Sequence, residues 1–139
     1  MKVPGLRSDY ETVDGIVFFG RMLDKIRLKA AGRLPSDYLT GTADRTYFDA
    51  RCCTFLRVPY VNLVERVLQG GSDEEVLQWC YQNYYRPSRD EIEMWNGFMT
   101  KRGWRDPGSA ELEQAKVDRG FGDRPDIQTW FDLHKAEEA

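Results

Sequence analysis

In Phe48-Asp49-Ala50-Arg51-Cys52-Cys53 two thiols follow a carboxylate and a guanidinium. These groups could supply a nucleophile, a proton carrier and an anion clamp. Wound as a helix over about 46–57, the segment puts Phe48, Cys52, Phe55 and Leu56 on one side, so Cys52 points into the core and Cys53 sits at its edge. Adjacent helical cysteines cannot converge on one metal ion or one substrate atom. A bond between them would strain the backbone, and the C-x-x-C spacing of redox and zinc sites is missing. The residues favour two buried small hydrophobes. The candidate reactive thiol is Cys53, although Asp49, one turn earlier, disfavours its thiolate. Cys80 lies mid-face in its own helix and reads as structural. The single histidine, His134, shares a face with Ile127, Trp130 and Phe131 and reads as a packed residue. It could pair with Cys53 only if the tail folds back over the second helix. A zinc site would need all three cysteines and His134 to converge, so no metal and no cofactor is expected and no catalytic residue is identified.

A more informative set of groups lies on the first helix, read as beginning just after Gly15. Ile16, Phe19, Met22, Leu23, Ile26 and Ala30 make its core face, and Gly32 ends it. Arg21, Lys25 and Lys29 form a ridge on the opposite side, flanked by Asp24, and solvated charge is the plainer reading of that ridge. Val17, Phe18 and Leu28, however, make the helix apolar on several sides, as if it ran through the middle of the fold. Its arginines would then need partners. Arg21, Asp24, Arg27, Asp49 and Arg51 are therefore the candidate ligand-binding cluster, acting as internal ion pairs or as the anion-binding side of a pocket.

Aromatic side chains supply a third group. Trp79 points away from the apolar stripe of its helix and is the candidate interface residue, while Tyr85 and Trp104 sit at helix ends or in loops.

The elements that would carry these groups are helices. Ser72 with Glu75 and Ser88 with Glu91 are two capping boxes. The first opens a helix with Val76, Leu77, Cys80, Tyr81 and Tyr84 on one face, the second a helix with Ile92, Trp95, Phe98 and Met99 inward and Gly103 as its stop. A further helix is expected at about 60–69 behind Pro59, a polar one up to Gly120, and a last one from near Asp126. The fold class is all-α, a single compact domain of six or seven short helices over 1–139, with an N-terminal extension at 1–13 and a fraying tail at 135–139.

The 139 residues suit one domain, and 41% hydrophobic, 13% aromatic and 31% charged residues are the composition of a folded chain. No apolar run is long enough for a membrane span and the start has no secretory pattern, so a cytoplasmic location without membrane association is expected. Three cysteines fit free thiols in a reducing compartment. Residues 1–57 carry 10 Lys and Arg against 7 Asp and Glu, whereas residues 58–139 carry 10 against 16. That asymmetry suits docking of the two halves. Nucleic-acid binding is disfavoured, because the capped helices open on Asp73, Glu74, Glu75, Asp90, Glu91 and Glu93, where a recognition helix would meet phosphates.

In order, "GIVFFGRMLDKIRLKAAGRLP", "FDARCCTFL", "GGSDEEVLQWCY", "RPSRDEIEMWNGFMTKRGWRD" and "DIQTWFDL" resemble, nearly end to end, a family of small bacterial proteins known only as a domain of unknown function. The resemblance implies a single-domain bacterial protein and attaches no activity or site residue to any position.

The residues therefore point to a binding or interaction module that holds a small anionic ligand, engages a protein partner or forms a homodimer. The alternative is a small enzyme using Asp and Arg, or a redox-sensitive Cys53.

Overall fold

The chain begins with a hairpin that the helical reading did not anticipate. Strand β1 (Thr12–Val13) pairs antiparallel with β2 (Ile16–Val17), with Val13 opposite Ile16. The two-residue loop is Asp14-Gly15, both at positive φ (48° and 81°). Asp-Gly is the usual sequence of such a tight turn, because both central residues must enter the left-handed region. Residues 16–18 are thus extended or bent, and the first helix starts three residues later than its apolar pattern suggests. Asn96 seals the hairpin: its carbonyl accepts from Val17 N–H (3.1 Å) and its amide donates to the Gly15 carbonyl (2.7 Å). The Trp95 indole N–H donates to the Val17 carbonyl at 3.1 Å.

The computed structural model describes all residues, 1–139. Helix α1 (Phe19–Ala30) runs through its centre, and every residue from Ile16 to Ile26 is buried. Ala30, assigned to the core face, is exposed at the helix end. Gly20 lets Arg7 lie flat on α1, since a Cβ there would stand 2.7 Å from the guanidinium carbon. Around α1 stand α2 (Phe48–Leu56), α3 (Tyr60–Leu68), α4 (Asp73–Asn83), α5 (Arg89–Lys101), α6 (Ser109–Asp118) and α7 (Trp130–Glu137). The all-α expectation holds, with seven helices and only the small hairpin added.

Four of the seven helix starts, those of α3, α4, α5 and α7, have a local cause. Pro59 precedes α3, whose first turn needs no proline N–H. Both capping boxes form, Ser72 with Glu75 and Ser88 with Glu91. The last helix begins at Trp130 rather than near Asp126, because Thr129 takes the cap by accepting from Asp132 N–H at 3.1 Å. Asp126 instead pairs with Arg124 in the preceding turn.

The main core joins the hairpin and α1 to Cys52 and Leu56 of α2, Leu63 and Val67 of α3, Val76, Leu77 and Cys80 of α4, Trp95 and Met99 of α5, and Phe131 of α7. Leu112, Ile127 and Leu133 form a smaller cluster under α6. Phe98, read as a core residue, is instead 41% exposed. The tail differs from expectation too. Helix α7 continues to Glu137, and the Glu138 carboxylate takes two hydrogen bonds of 2.7 Å from Arg21. The N-terminal segment joins the same contact, with Val3 buried and the terminal ammonium on the Glu137 carbonyl.

Candidate functional site

The charged ridge of α1 lies inside the fold. Arg21 is 3% exposed, held by Glu138, by the Arg7 carbonyl at 3.1 Å and by Asp9 at 3.6 Å. Lys25 is 6% exposed; its ammonium stands 2.7 Å from Asp49, donates to the Leu39 carbonyl at 2.9 Å and lies over the Phe18 ring. Only Lys29 reaches solvent. The solvated reading of this ridge therefore fails at Arg21 and Lys25, because the N-terminal segment, the α1–α2 loop and the tail all pack over that side.

Of the five residues in the expected ligand-binding cluster only Asp24 and Arg27 come together, 3.8 Å apart in one network with Arg7 and Asp73. Arg21 belongs to Asp9 and Glu138. Asp24 receives two hydrogen bonds of 2.9 Å from the Arg7 side chain, and Arg7 also reaches Asp73 at 2.6 Å. Arg27 meets Asp73 at 2.8 Å, tying α1 to the first turn of α4. These two guanidinium groups hold the Asp73 carboxyl below the usual carboxylate range against the opposing effect of its partial burial. Asp49 belongs to Lys25. Only Arg51 stands apart, over the ring of Phe98 at 5.5 Å.

The Lys25–Asp49 pair positions the long loop from Ala31 to Tyr47, which has neither helix nor strand. Lys25 holds the Leu39 carbonyl, Lys29 donates to Thr40 Oγ1 (3.0 Å), and the second oxygen of Asp49 accepts from Gly41 N–H (2.8 Å). Gly41 sits at φ 82° against the Tyr60 ring. With residues 39–41 pinned, the next residues are delivered over α2. There Thr42 and Arg45 of the loop meet Ala50, Cys53, Thr54 and Arg57 of α2 and its end, with Tyr60 of α3, around an open hollow of about 420 Å³.

No carboxylate lines that hollow. Arg57 lies over the Tyr85 ring at 3.7 Å, with the Tyr85 hydroxyl on Glu91. Arg45, Arg51 and Arg57 form no ion pair, in contrast to Arg7, Arg21 and Arg27. Arg51 has its pKa lowered by partial burial and by the like charges of Arg102 and Arg45. The arginines around α2 thus lack a direct counter-ion, with Asp44 acting on Arg45 and Arg51 and Glu91 on Arg57 only from a longer range, and guanidinium groups without a direct partner can take up an anion.

The thiols are poorly disposed to react. Cys52, Cys53 and Cys80 are free and buried. Burial pushes Cys53 up to about 12, with Asp49 and Cys80 adding to it, and burial pushes Cys80 up to about 12 as well. Cys52 is also raised, by burial first. His134 contacts Asp9 (Nδ1 to Oδ2, 2.9 Å), beside the rings of Phe48 and Trp130. Asp9 is thus its partner, not Cys53. In the folded protein at pH 8 none of the three thiols should react readily with a disulfide reagent. The Cys53 thiolate fraction would be about a thousandfold below that of an unfolded cysteine, and all three should react on denaturation. Because these pKa values are raised, the stability they contribute is complete below pH 9 and is lost as pH climbs toward about 12. Rapid labelling of Cys53 in the native state would contradict this.

Trp79 is half-buried, edge-on to Tyr84 at 5.5 Å. It lies in a second open hollow of about 420 Å³ with Arg66, Glu74, Glu75, Gln78 and Gln82. Trp104 is 45% exposed under Arg105. No group of three His, Cys, Asp or Glu side chains is arranged to hold a metal ion, and no helix is long and apolar enough to cross a membrane.

Sequence reasoning missed Thr42, Arg45, Thr54, Arg57 and Tyr60, whose convergence depends on where the loop folds. The one available signal was the length of the polar stretch between α1 and α2, since loops this long commonly carry function. No curated protein matches the chain. A family model described as a domain of unknown function (DUF5069) matches residues 3–139, and the chain belongs to that family.

Proposed function

We propose that the protein is a binding module that holds a small anionic ligand in the hollow between the α1–α2 loop and the α2–α3 corner. The observation that carries this reading is the meeting of Arg45 and Arg57 with the hydroxyl-bearing side chains of Thr42, Thr54 and Tyr60 where no carboxylate intervenes. A guanidinium presents paired donors that match the oxygens of a phosphate or carboxylate, and hydroxyl groups can add further donors. The buried thiols and the unbridged cysteines support a reducing compartment such as the cytosol.

Thermal unfolding with added pyrophosphate tests the reading. Saturation at about 100 times Kd should stabilise the protein by about 2.7 kcal/mol, and Arg45→Met, a change at an exposed loop position, should remove the effect without altering the unliganded melt. Absence of any shift with pyrophosphate or phosphate would refute it. A second reading, self-association around Trp79, rests on the open hollow that this half-buried ring lines, and a doubled mass in native mass spectrometry would favour it. The raised Cys53 thiol, although it faces the same hollow, weighs against a thiol enzyme.

A further inference from the structure

The arginine-lined surface does not stop at the hollow. Thr54 lines the hollow, and Arg51 lies one turn before it on α2, so their side chains are neighbours on the helix surface. Arg51 reaches over Phe98 of α5 at 5.5 Å, and Arg102, just beyond the end of α5, lies over the same ring at 5.6 Å. Phe98 is 41% exposed, although its neighbours Trp95 and Met99 are in the core. The platform is supported from within, because Phe55 of α2 stacks on Trp95 with centroids 4.8 Å apart and planes 7° from parallel. Arg57 and Arg45 at the hollow, then Arg51 and Arg102 at Phe98, make one continuous track. Its acids are three: Asp106 stands 3.6 Å from Arg102, Asp44 is turned onto Thr46, and Glu91, near Arg57, accepts from the Tyr85 hydroxyl and the Ser88 N–H.

With Arg102 partly neutralised by Asp106, the three guanidinium groups without an ion pair, Arg45, Arg51 and Arg57, still exceed what a single phosphate engages in paired fashion, so the track fits more than one anionic group. An exposed aromatic ring beside arginines, in turn, is the arrangement on which a nucleobase stacks, on the ring face or on a guanidinium plane. Resting on the anion-binding reading of the hollow, we propose that the ligand is a nucleotide, with its phosphates between Arg45 and Arg57 and its base on Phe98 and the two arginines beside it.

The proposal is tested by calorimetric titration of the full chain with ATP and with tripolyphosphate, without added metal. ATP should bind about tenfold more tightly than tripolyphosphate, the difference being the stacked base. Phe98→Leu should erase that difference and leave tripolyphosphate binding unchanged, Phe98→Tyr should preserve it, and Arg45→Met should weaken both ligands. Equal affinities for ATP and tripolyphosphate in the unaltered protein would overturn the nucleotide assignment while leaving the anionic hollow standing. Binding of tripolyphosphate alone would do the same. Failure of both ligands to bind would overturn the hollow and the nucleotide together. The comparison in the unaltered protein decides the matter even if the Phe98 variants fold poorly.

Discussion

Replacing Lys25 by Met is expected to lower the unfolding free energy by about 3–5 kcal/mol. The change removes the only cation beside Asp49, which is 1% exposed, and takes the ammonium donor from the Leu39 carbonyl. A carboxylate left unpaired at that depth must either stay charged in a poorly solvating site or take up a proton, and both routes reduce stability. The loss comes from the abandoned partner rather than from the missing attraction alone. The double variant Lys25→Met with Asp49→Asn should accordingly regain most of it, because asparagine keeps an acceptor for Gly41 N–H and carries no charge. Urea unfolding of both singles and the double measures the coupling. A Lys25→Met protein within about 1 kcal/mol of the unaltered one would mean that the pair contributes little to the fold. The same pair pins residues 39–41, so the single variant should also weaken any ligand held by Thr42 and Arg45.

Arg21→Met should have a loss of similar size, about 3–5 kcal/mol, since it takes the guanidinium from the buried Asp9, which keeps only His134 at 2.9 Å, and leaves Glu138 without its double hydrogen bond. Glu138→Ala should cost less, about 2–3 kcal/mol, because Arg21 keeps Asp9 at 3.6 Å and the Arg7 carbonyl, and because the Glu138 side chain is 15% exposed and partly screened. Deleting residues 138 and 139 should reproduce the Glu138→Ala value. Equilibrium unfolding of the three proteins gives the order directly. A deletion that leaves stability unchanged would show that the tail does not serve Arg21 and would return the last residues to the role of a loose end.

The local features of this protein were legible in the amino-acid sequence. The two capping boxes, the proline before α3 and the position of α2 each depend on residues within a few positions of one another, and each is where the pattern puts it. The Asp14-Gly15 turn was legible too, but the apolar run that follows it satisfies a helical period as easily as a short strand, and the helical reading absorbed residues 16–18. Thr129, by contrast, won the start of α7 over Asp126 through a cap that only the local backbone path decides.

What the residues near α1 do was decided by tertiary structure alone. The pattern marked α1 as apolar on several sides and its arginines as needing partners, and both statements hold. The partners themselves, Asp9 and Glu138 for Arg21, Asp73 for Arg27 and Asp49 for Lys25, lie in distant segments and share no spacing with the ridge. The hollow follows the same rule. Its basic side chains come from a loop without periodic structure and from the end of a helix, and they converge because a buried ion pair fixes where that loop lies. Helix caps and turns are set by neighbours along the chain, whereas charge pairing and pockets are set by neighbours in space.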